Sequence, residues 1–325
     1  MRRRAIGLGL VGLGAFALVA ALLVRLVLVD TLVRLPLDQT ASPRALGTDV
    51  SFLDLSEMRQ LRGLEATVEQ RVAGEPAAEE ASDDVAVWNF GSTMVDEDGE
   101  LLNAYTYRVC LDRREAVAVE CESDHIDNDE DRSVEGLTLT FPFGTEKRDY
   151  DVFNPTTGET FPARFEEVEE IEGLEVYKFV QVVPETVIRE TAVPGNLVGS
   201  DEATVEAEVV YSNERTMWIE PRSGVQVTAS EKPRTVLRGP DGATGATVLA
   251  GSFAGDEQTI ADGVERAEDT AGKINLITNV LPLLLLVLGV LALAGGVVLS
   301  LRADRAARDE GDARHAEQTE EIGVR

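Results

Sequence analysis

Two stretches of the chain stay uncharged long enough to cross a membrane, and between them apolar and polar residues alternate with a period of two. Ala5–Val24 is a run of 20 residues without a charge, and about 20 apolar residues span a bilayer core as a helix. Arg25 interrupts the run and Leu26–Val29 continue it. Val280–Leu301 gives 22 further residues without a charge. Pro282 lies near its start, where a helix tolerates proline best. The pattern predicts one transmembrane helix at each end, over residues 5–29 and 273–301. A basic start and the small residues Ala20 and Ala21 also fit a cleaved signal peptide. Signal cores run to about 7–15 apolar residues, so the greater length favours a retained anchor. Gly7, Gly9, Gly12 and Gly14 in the first span, and Gly289, Gly295 and Gly296 in the second, offer small surfaces for close helix packing.

The intervening residues read as strands. Leu64, Ala66 and Val68 alternate with Glu65, Thr67 and Glu69; Tyr105, Tyr107, Val109 and Leu111 alternate with Thr106, Arg108 and Cys110. Val85–Trp88, Glu175–Val183, Thr204–Tyr211 and Arg215–Glu220 are further β-prone runs. Asn154–Gly158, Glu172–Gly173 and Pro221–Gly224 carry turn chemistry between them. Ala73–Asp84 and Thr93–Glu100 are acidic and turn-rich and read as loops. Ile260, Val264, Ala267, Ala271 and Ile274 form a helical stripe leading into the second span. A short helix over Asp54–Leu61, capped by Ser51 or Asp54, also fits. The expectation is a mainly β, antiparallel sandwich or barrel-like domain of short strands over residues 30–272, with a few helices.

Charge gives this arrangement an orientation. The chain carries a net charge of −29, yet residues 30–272 hold 52 Asp plus Glu against 20 Lys plus Arg, a net −32. The ends are therefore slightly basic. Arg2, Arg3 and Arg4 precede the first span, and Arg302, Arg305 and Arg308 follow the second. The positive-inside rule then places residues 1–4 and the polar tail 302–325, expected to be frayed or disordered, in the cytoplasm. The acidic domain falls outside a plasma membrane crossed twice. Such a surface is a poor partner for nucleic acid, which needs clustered Lys and Arg, and anionic lipid headgroups repel it.

Cys110 and Cys121 are the only cysteines. They flank a hairpin-like stretch in the outer domain, where an oxidising compartment favours a disulfide over two unpaired core thiols. Two thiolates at this spacing lack the companions of a metal site. Asp127, Asp129 and Asp131 have the one-three-five spacing of a calcium loop. Arg132 stands where such a loop needs Gly and Thr138 where it needs Glu, so this is a weak calcium candidate and a solvated acidic loop reads better. His125 is the only histidine outside the C-terminal tail. No nucleophile elbow, phosphate loop or zinc-protease motif is present, so the residues imply neither catalysis nor a cofactor.

Leu137–Phe165 is the most distinctive stretch, with Phe141-Pro142-Phe143-Gly144, Asp151-Val152-Phe153-Asn154-Pro155 and Phe161-Pro162. Tyr177-Lys178-Phe179, Val193-Pro194-Gly195, Tyr211-Ser212-Asn213 and Trp218-Ile219-Glu220-Pro221 follow. Over nearly its whole length, both spans included, the chain resembles the actinobacterial family labelled porin PorA-like. The resemblance implies a pore or an envelope transport role. Residue by residue, the aromatics read as core and the Pro-Gly pairs as turns. A membrane barrel needs strands of about 9–11 residues with an uncharged lipid face, so a pore made by this chain would be an oligomer of helices. The expected function is a noncatalytic binding or structural role in the envelope, with the bilayer and a lipid or envelope component as partners. The alternatives are a carrier moving a lipid or other hydrophobic molecule through a cavity in the β domain, and a subunit of an oligomeric pore.

Overall fold

The computed structural model describes residues 2–54 and 57–322, in two units. Arg34–Ala271 is one; Met1–Val33 together with Gly272–Arg325 is the other. The chain begins with α1 (Arg2–Leu23), a π-helical turn (Val24–Leu28) and α2 (Val29–Leu32). It ends with α3 (Glu257–Asn275), a second π-helical turn (Leu276–Val280) and α4 (Leu281–Ile322).

In the helical unit, α1 and α4 pack antiparallel through four of the seven glycines. A Cβ on Gly14 would lie 2.7 Å from the Gly289 carbonyl oxygen, and one on Gly296 would lie 2.7 Å from that of Gly7. No side chain fits at these points, so the two backbones touch and dispersion between them holds the pair. Gly9, Gly12 and Gly295 meet nothing. Leu8, Phe16, Leu283 and Leu291 are exposed, and both spans are apolar and long enough to cross a membrane. The Arg25 guanidinium donates a 2.7 Å hydrogen bond to the Thr278 carbonyl, joining the two π-helical turns. The tail after Arg302 is not disordered as expected: it stays helical to Ile322. Its Ala, Arg, Glu and Gln residues are good helix formers, and they outweigh its polarity.

The other unit is built from fourteen strands in one antiparallel sheet. They are β1 (Thr40–Ala41), β2 (Arg44–Asp54), β3 (Arg59–Gly74), β4 (Val85–Asp96), β5 (Leu101–Asp112), β6 (Ala118–Val119) and β7 (His125–Ile126). After them come β8 (Tyr150–Asn154), β9 (Glu159–Ile171), β10 (Leu174–Pro194), β11 (Thr204–Ile219), β12 (Gln226–Glu231), β13 (Arg234–Arg238) and β14 (Thr244–Gly255). The order is β6-β5-β4-β3-β2-β14-β12-β11-β10-β9-β8, with β13 also joining β11 to β14. The two end strands do not pair directly. Gly136 and Leu137 sit between them: Ala118 N donates to Gly136 O (2.8 Å), Leu137 N to Asp151 O (2.9 Å) and Phe153 N to Leu137 O (2.7 Å). The hydrogen-bonded circuit is thereby completed, and the sheet is a barrel at this level.

The closed end is filled by aromatic and aliphatic side chains, among them Trp88, Phe90, Tyr107, Leu137, Phe141, Phe153 and Phe179. Leu35, just after the first helices, is buried in this cluster. Arg113 fixes the entry by donating from Nε to Leu35 O (2.6 Å), while Trp88 Nε1 donates to Pro36 O (3.1 Å). On the outer face, Val264 and Ala267 of α3 pack on Val176 and Val227. Gly263 lets the helix backbone reach the Val227 carbonyl, from which a Cβ would be only 2.2 Å away.

Three expectations are corrected. The strands are long: β10 has 21 residues and β3 and β11 have 16 each. Register shifts between Val183 and Thr186 and between Val187 and Arg189 break the alternation of β10 without ending it, which is what a bulge does. Asp54 and Arg59–Leu61 are strand and not helix, and residues 55–56 of the expected helix lie outside the described residues. Ser51 lies in β2 and Leu61 in β3, Asp54 pairs with Arg59, and Asp54 Oδ1 accepts from Glu57 N (3.1 Å). Thr93–Asp96 belong to β4 and Ala73–Gly74 to β3, so only the residues beyond them are loop. The turn readings hold. Glu172 and Gly173 both have positive φ, 50° and 85°, as a two-residue hairpin turn requires. Asn154 Oδ1 accepts from Thr156 N and Thr157 N, both at 3.1 Å.

Gly136 has φ +67°, and a Cβ there would lie 2.7 Å from Asp151 O. Gly136→Ala is therefore expected to cost roughly 1–3 kcal/mol through backbone strain and a damaged closure. Differential scanning fluorimetry of the full chain in detergent should show the melting point falling by several degrees, whereas Gly99→Ala, with open space and positive φ, should cost less.

Candidate binding site on the inner wall of the barrel

Strands that alternate in and out should present only apolar side chains to a filled core. Along β11 the inward positions run Val205, Ala207, Val209, then Tyr211, Asn213, Arg215, then Met217, Ile219. The apolar members belong to two separate buried clusters, and a polar band lies between them. On β4 the inward series is Ala86, Trp88, Phe90, then Ser92, then Met94, again with a polar position between two clusters.

The polar residues are cross-strand neighbours. Gln70 pairs with Ser92 and Ser92 with Tyr105, across β3, β4 and β5. Gln181 pairs with Arg215 and Arg215 with Glu231, across β10, β11 and β12. The rows face each other: Tyr105 contacts the Phe90 ring at 5.7 Å on its own wall, and its phenol feels the Glu231 carboxylate and the Arg215 guanidinium. Arg215 Nε lies 3.1 Å from Glu231 Oε1, without the alignment of a hydrogen bond. Glu231 Oε2 accepts from Asn213 Nδ2 (3.2 Å), and Arg215 Nη2 donates to Gln226 Oε1 (3.4 Å). The ion pair makes the band neutral inside an otherwise acidic domain.

Several of these groups have no protein partner. Gln181 is fully buried and donates from Nε2 to Val152 O (2.6 Å) and Phe161 O (3.1 Å), but its Oε1 is unpaired. Among the described residues, no hydrogen bond reaches the side chains of Gln70, Ser92 or Tyr105, although Ser92 is only 6% exposed. A buried polar group without a partner costs about 1–3 kcal/mol; Gln181 Oε1 is one, and with the unbonded Gln70, Ser92 and Tyr105 side chains opposite it the band offers free donors and acceptors to a polar group from elsewhere. There is also a route to it. Among the described residues, β10 from Val182 onward pairs only with β11, and Leu101–Tyr105 of β5 only with β4. The barrel wall is therefore open beside Tyr105.

Burial and the Glu231 carboxylate raise the Tyr105 phenol above its ordinary value, burial raises Tyr107 in spite of its 2.6 Å bond with Thr138, and burial raises Tyr211. On the outer face, hydrogen bonds from Asn89 and Arg108 hold Glu75 below the usual carboxylate range.

The residues singled out in the sequence lie elsewhere. Cys110 and Cys121 form a disulfide, with 6.2 Å between their Cα atoms. Asp127 Oδ1 accepts from Thr106 N (2.8 Å) and Asp129 Oδ1 from Asp131 N (3.1 Å), so two of the three carboxylates serve the turn after β7. Among the described residues, no three His, Cys, Asp or Glu side chains gather as a metal site. His125 pairs with Arg108 in the sheet, and its Nδ1 is buried without a partner. The inner-wall residues were not singled out. Their only signal is a polar residue at an inward position, and inward is defined only once the register is known.

The family model described as Porin PorA matches residues 6–298. The chain belongs to this family. A Porin PorA from Corynebacterium amycolatum is 24% identical over 71% of this chain and 77% of its own length. The PorA match takes in the first span, the barrel and most of the second span. It fits a membrane or envelope location.

Because Tyr105 and Tyr107 hold their protons more tightly when folded, the stability they contribute is complete below the unfolded phenol value of about 10. It is lost as pH rises from there towards the folded values. The urea midpoint of the full chain should fall between pH 9 and 11, and the fall should be smaller in Tyr105→Phe. Equal slopes for the two proteins would show that Tyr105 is not held in this way.

Proposed function

We propose that this PorA-family protein is a noncatalytic, membrane-anchored binding protein of the envelope, holding a polar ligand against the inner wall of an extracytoplasmic barrel. The carrying observation is the unpaired Gln70–Ser92–Tyr105 row facing Gln181–Arg215–Glu231 beside an open wall. The arginines flanking both spans support cytoplasmic termini. The glycine contacts between α1 and α4 support retention of the first helix, since cleavage would leave Gly289 and Gly296 without a partner.

The alternatives fit less well. An apolar tunnel for a hydrophobic molecule would be interrupted by the Arg215–Glu231 pair. A water-filled pore through the helices needs polar lining, and Ala5–Val24 supplies none. A lipid-embedded barrel needs an uncharged outer band, whereas Glu167, Glu169 and Lys178 form ion pairs at 2.8–3.0 Å on the face of β9 and β10.

Native mass spectrometry of the full chain, released from its own membranes in mild detergent, tests the binding role. A molecule of constant mass should remain on the wild type and be lost from Arg215→Met. An empty wild-type barrel in every preparation would overturn the reading. Topology has its own test. Protease added to spheroplasts should digest residues 34–271 and spare a tag at Arg325, and planar bilayers should show no single-channel conductance. Loss of the tag, or unitary conductance steps, would contradict the proposal.

A further inference from the structure

We infer that the ligand of the inner wall is a neutral sugar, seated with the C–H face of its ring on the aromatic cluster and its hydroxyls against the polar band. The inference rests on the binding role proposed above and names the chemistry of that site.

The band is a single layer of the barrel. Gln70, Ser92 and Tyr105 each stand two residues along their strands from Val72, Phe90 and Tyr107. Gln181, Arg215 and Glu231 stand likewise two residues from Phe179, Met217 and Ala229. All six of those neighbours lie in or against one cluster, so the polar layer rests directly on an apolar floor. Phe90 and Tyr107 stack in that floor with ring centroids 4.8 Å apart, and Phe179 adds a third ring. Gln70, Tyr105 and Arg215 are only half-buried, so the layer can be reached from the opening beside Tyr105.

The free groups decide what can sit there. Gln181 Nε2 donates to both the Val152 and the Phe161 carbonyl. This fixes the amide, so its unpaired atom is the acceptor Oε1. Arg215, its cross-strand neighbour, has a buried Nε–H without an aligned acceptor. Cross-strand side chains start about 4.5–5.5 Å apart, so one hydroxyl can accept from Arg215 and donate to Gln181. Ser92 and Tyr105 add two hydroxyls and Gln70 an amide, each able to donate and to accept. An ionised carboxylate or a phosphodiester accepts only; it would leave Gln181 Oε1 unpaired and bring its charge beside Glu231. An ammonium donates only and would leave Arg215 Nε unpaired. The Arg215–Glu231 pair, at 3.1 Å, already cancels the charge of the layer. Several hydroxyls on a ring with an apolar face match both the polar layer and its floor.

Saturation-transfer NMR tests this on the full chain in lauryldimethylamine oxide, a detergent without a sugar headgroup. The probes are methyl glucoside, methyl galactoside and methyl mannoside, with glucuronate and protonated glucosamine as charged counterparts. Transfer is expected to the ring C–H protons of at least one neutral glycoside and to neither charged sugar. Ser92→Ala and Tyr105→Phe each remove a single hydroxyl and should weaken that binding about three- to tenfold. Thr93→Ala, the next residue of β4 and exposed on its outer face, should leave it unchanged. Three results would overturn the inference: no transfer to any neutral glycoside, equal transfer to a charged sugar, or binding that neither Ser92→Ala nor Tyr105→Phe alters. Native mass spectrometry keeps the two claims apart. A molecule retained by the wild type while no sugar binds removes the sugar and leaves the binding role standing; an empty barrel in both experiments removes both.

Discussion

A β-sheet must pair its edges, cover them or leave them to find another chain. In this barrel the two end strands meet only through Gly136 and Leu137, and much of the architecture depends on that contact. It brings the β3–β4–β5 wall round to face β10–β11–β12. It also lets Phe90, Tyr107, Phe153 and Phe179 share one cluster although they are far apart in sequence. Only a glycine suits the position, since the backbone there has positive φ and Asp151 O stands where a side chain would begin. Where the closure stops, the inner wall becomes reachable, so one contact defines both the packed end and the open one.

The division between the two units follows from charge. Residues 30–272 carry a net −32, and the outer faces of β9, β10 and β11 bear carboxylates and ion pairs. No lipid-facing band can be drawn round such a barrel. Membrane attachment then falls to α1 and α4, whose large apolar side chains point outward while glycines bring the backbones together. The polar residues the barrel does hide are on its inside, where Arg215 and Glu231 offset each other and leave the band neutral.

Much of this was legible in the sequence because it depends on local periodicity. Uncharged runs give the spans, Glu172-Gly173 and Asn154–Gly158 give the turns, and the stripe from Ile260 to Ile274 gives α3. The rest depends on distant residues. Pro184 and Glu185 break the alternation of β10, and the sequence cannot distinguish a bulge from the end of a strand. Asp54 suggests a helix cap as readily as the strand end it occupies. Gly136 is one turn-like glycine among many until Asp151 is seen beside it. Ser92 and Gln181 look like ordinary polar residues of a strand, and only the pairing of Gln70 with Ser92 and of Gln181 with Arg215 shows them to be two facing rows. The PorA family match runs over residues 6–298 without distinction, so it identifies the scaffold without pointing to the inner wall.

The central claim is that the barrel stands in water while the two helices cross the lipid. Nitroxide labels placed one at a time on the full chain in liposomes test this through collisions with oxygen, which concentrates in lipid, and with a polar nickel chelate, which does not. Val182 and Leu101 are the most exposed large apolar side chains of the barrel, at 57% and 61%, and labels there should collide mainly with the chelate. Labels at Phe16 and Leu291 should collide mainly with oxygen. Oxygen-dominated collisions at Val182 and Leu101 would place the barrel wall in the bilayer and contradict the account.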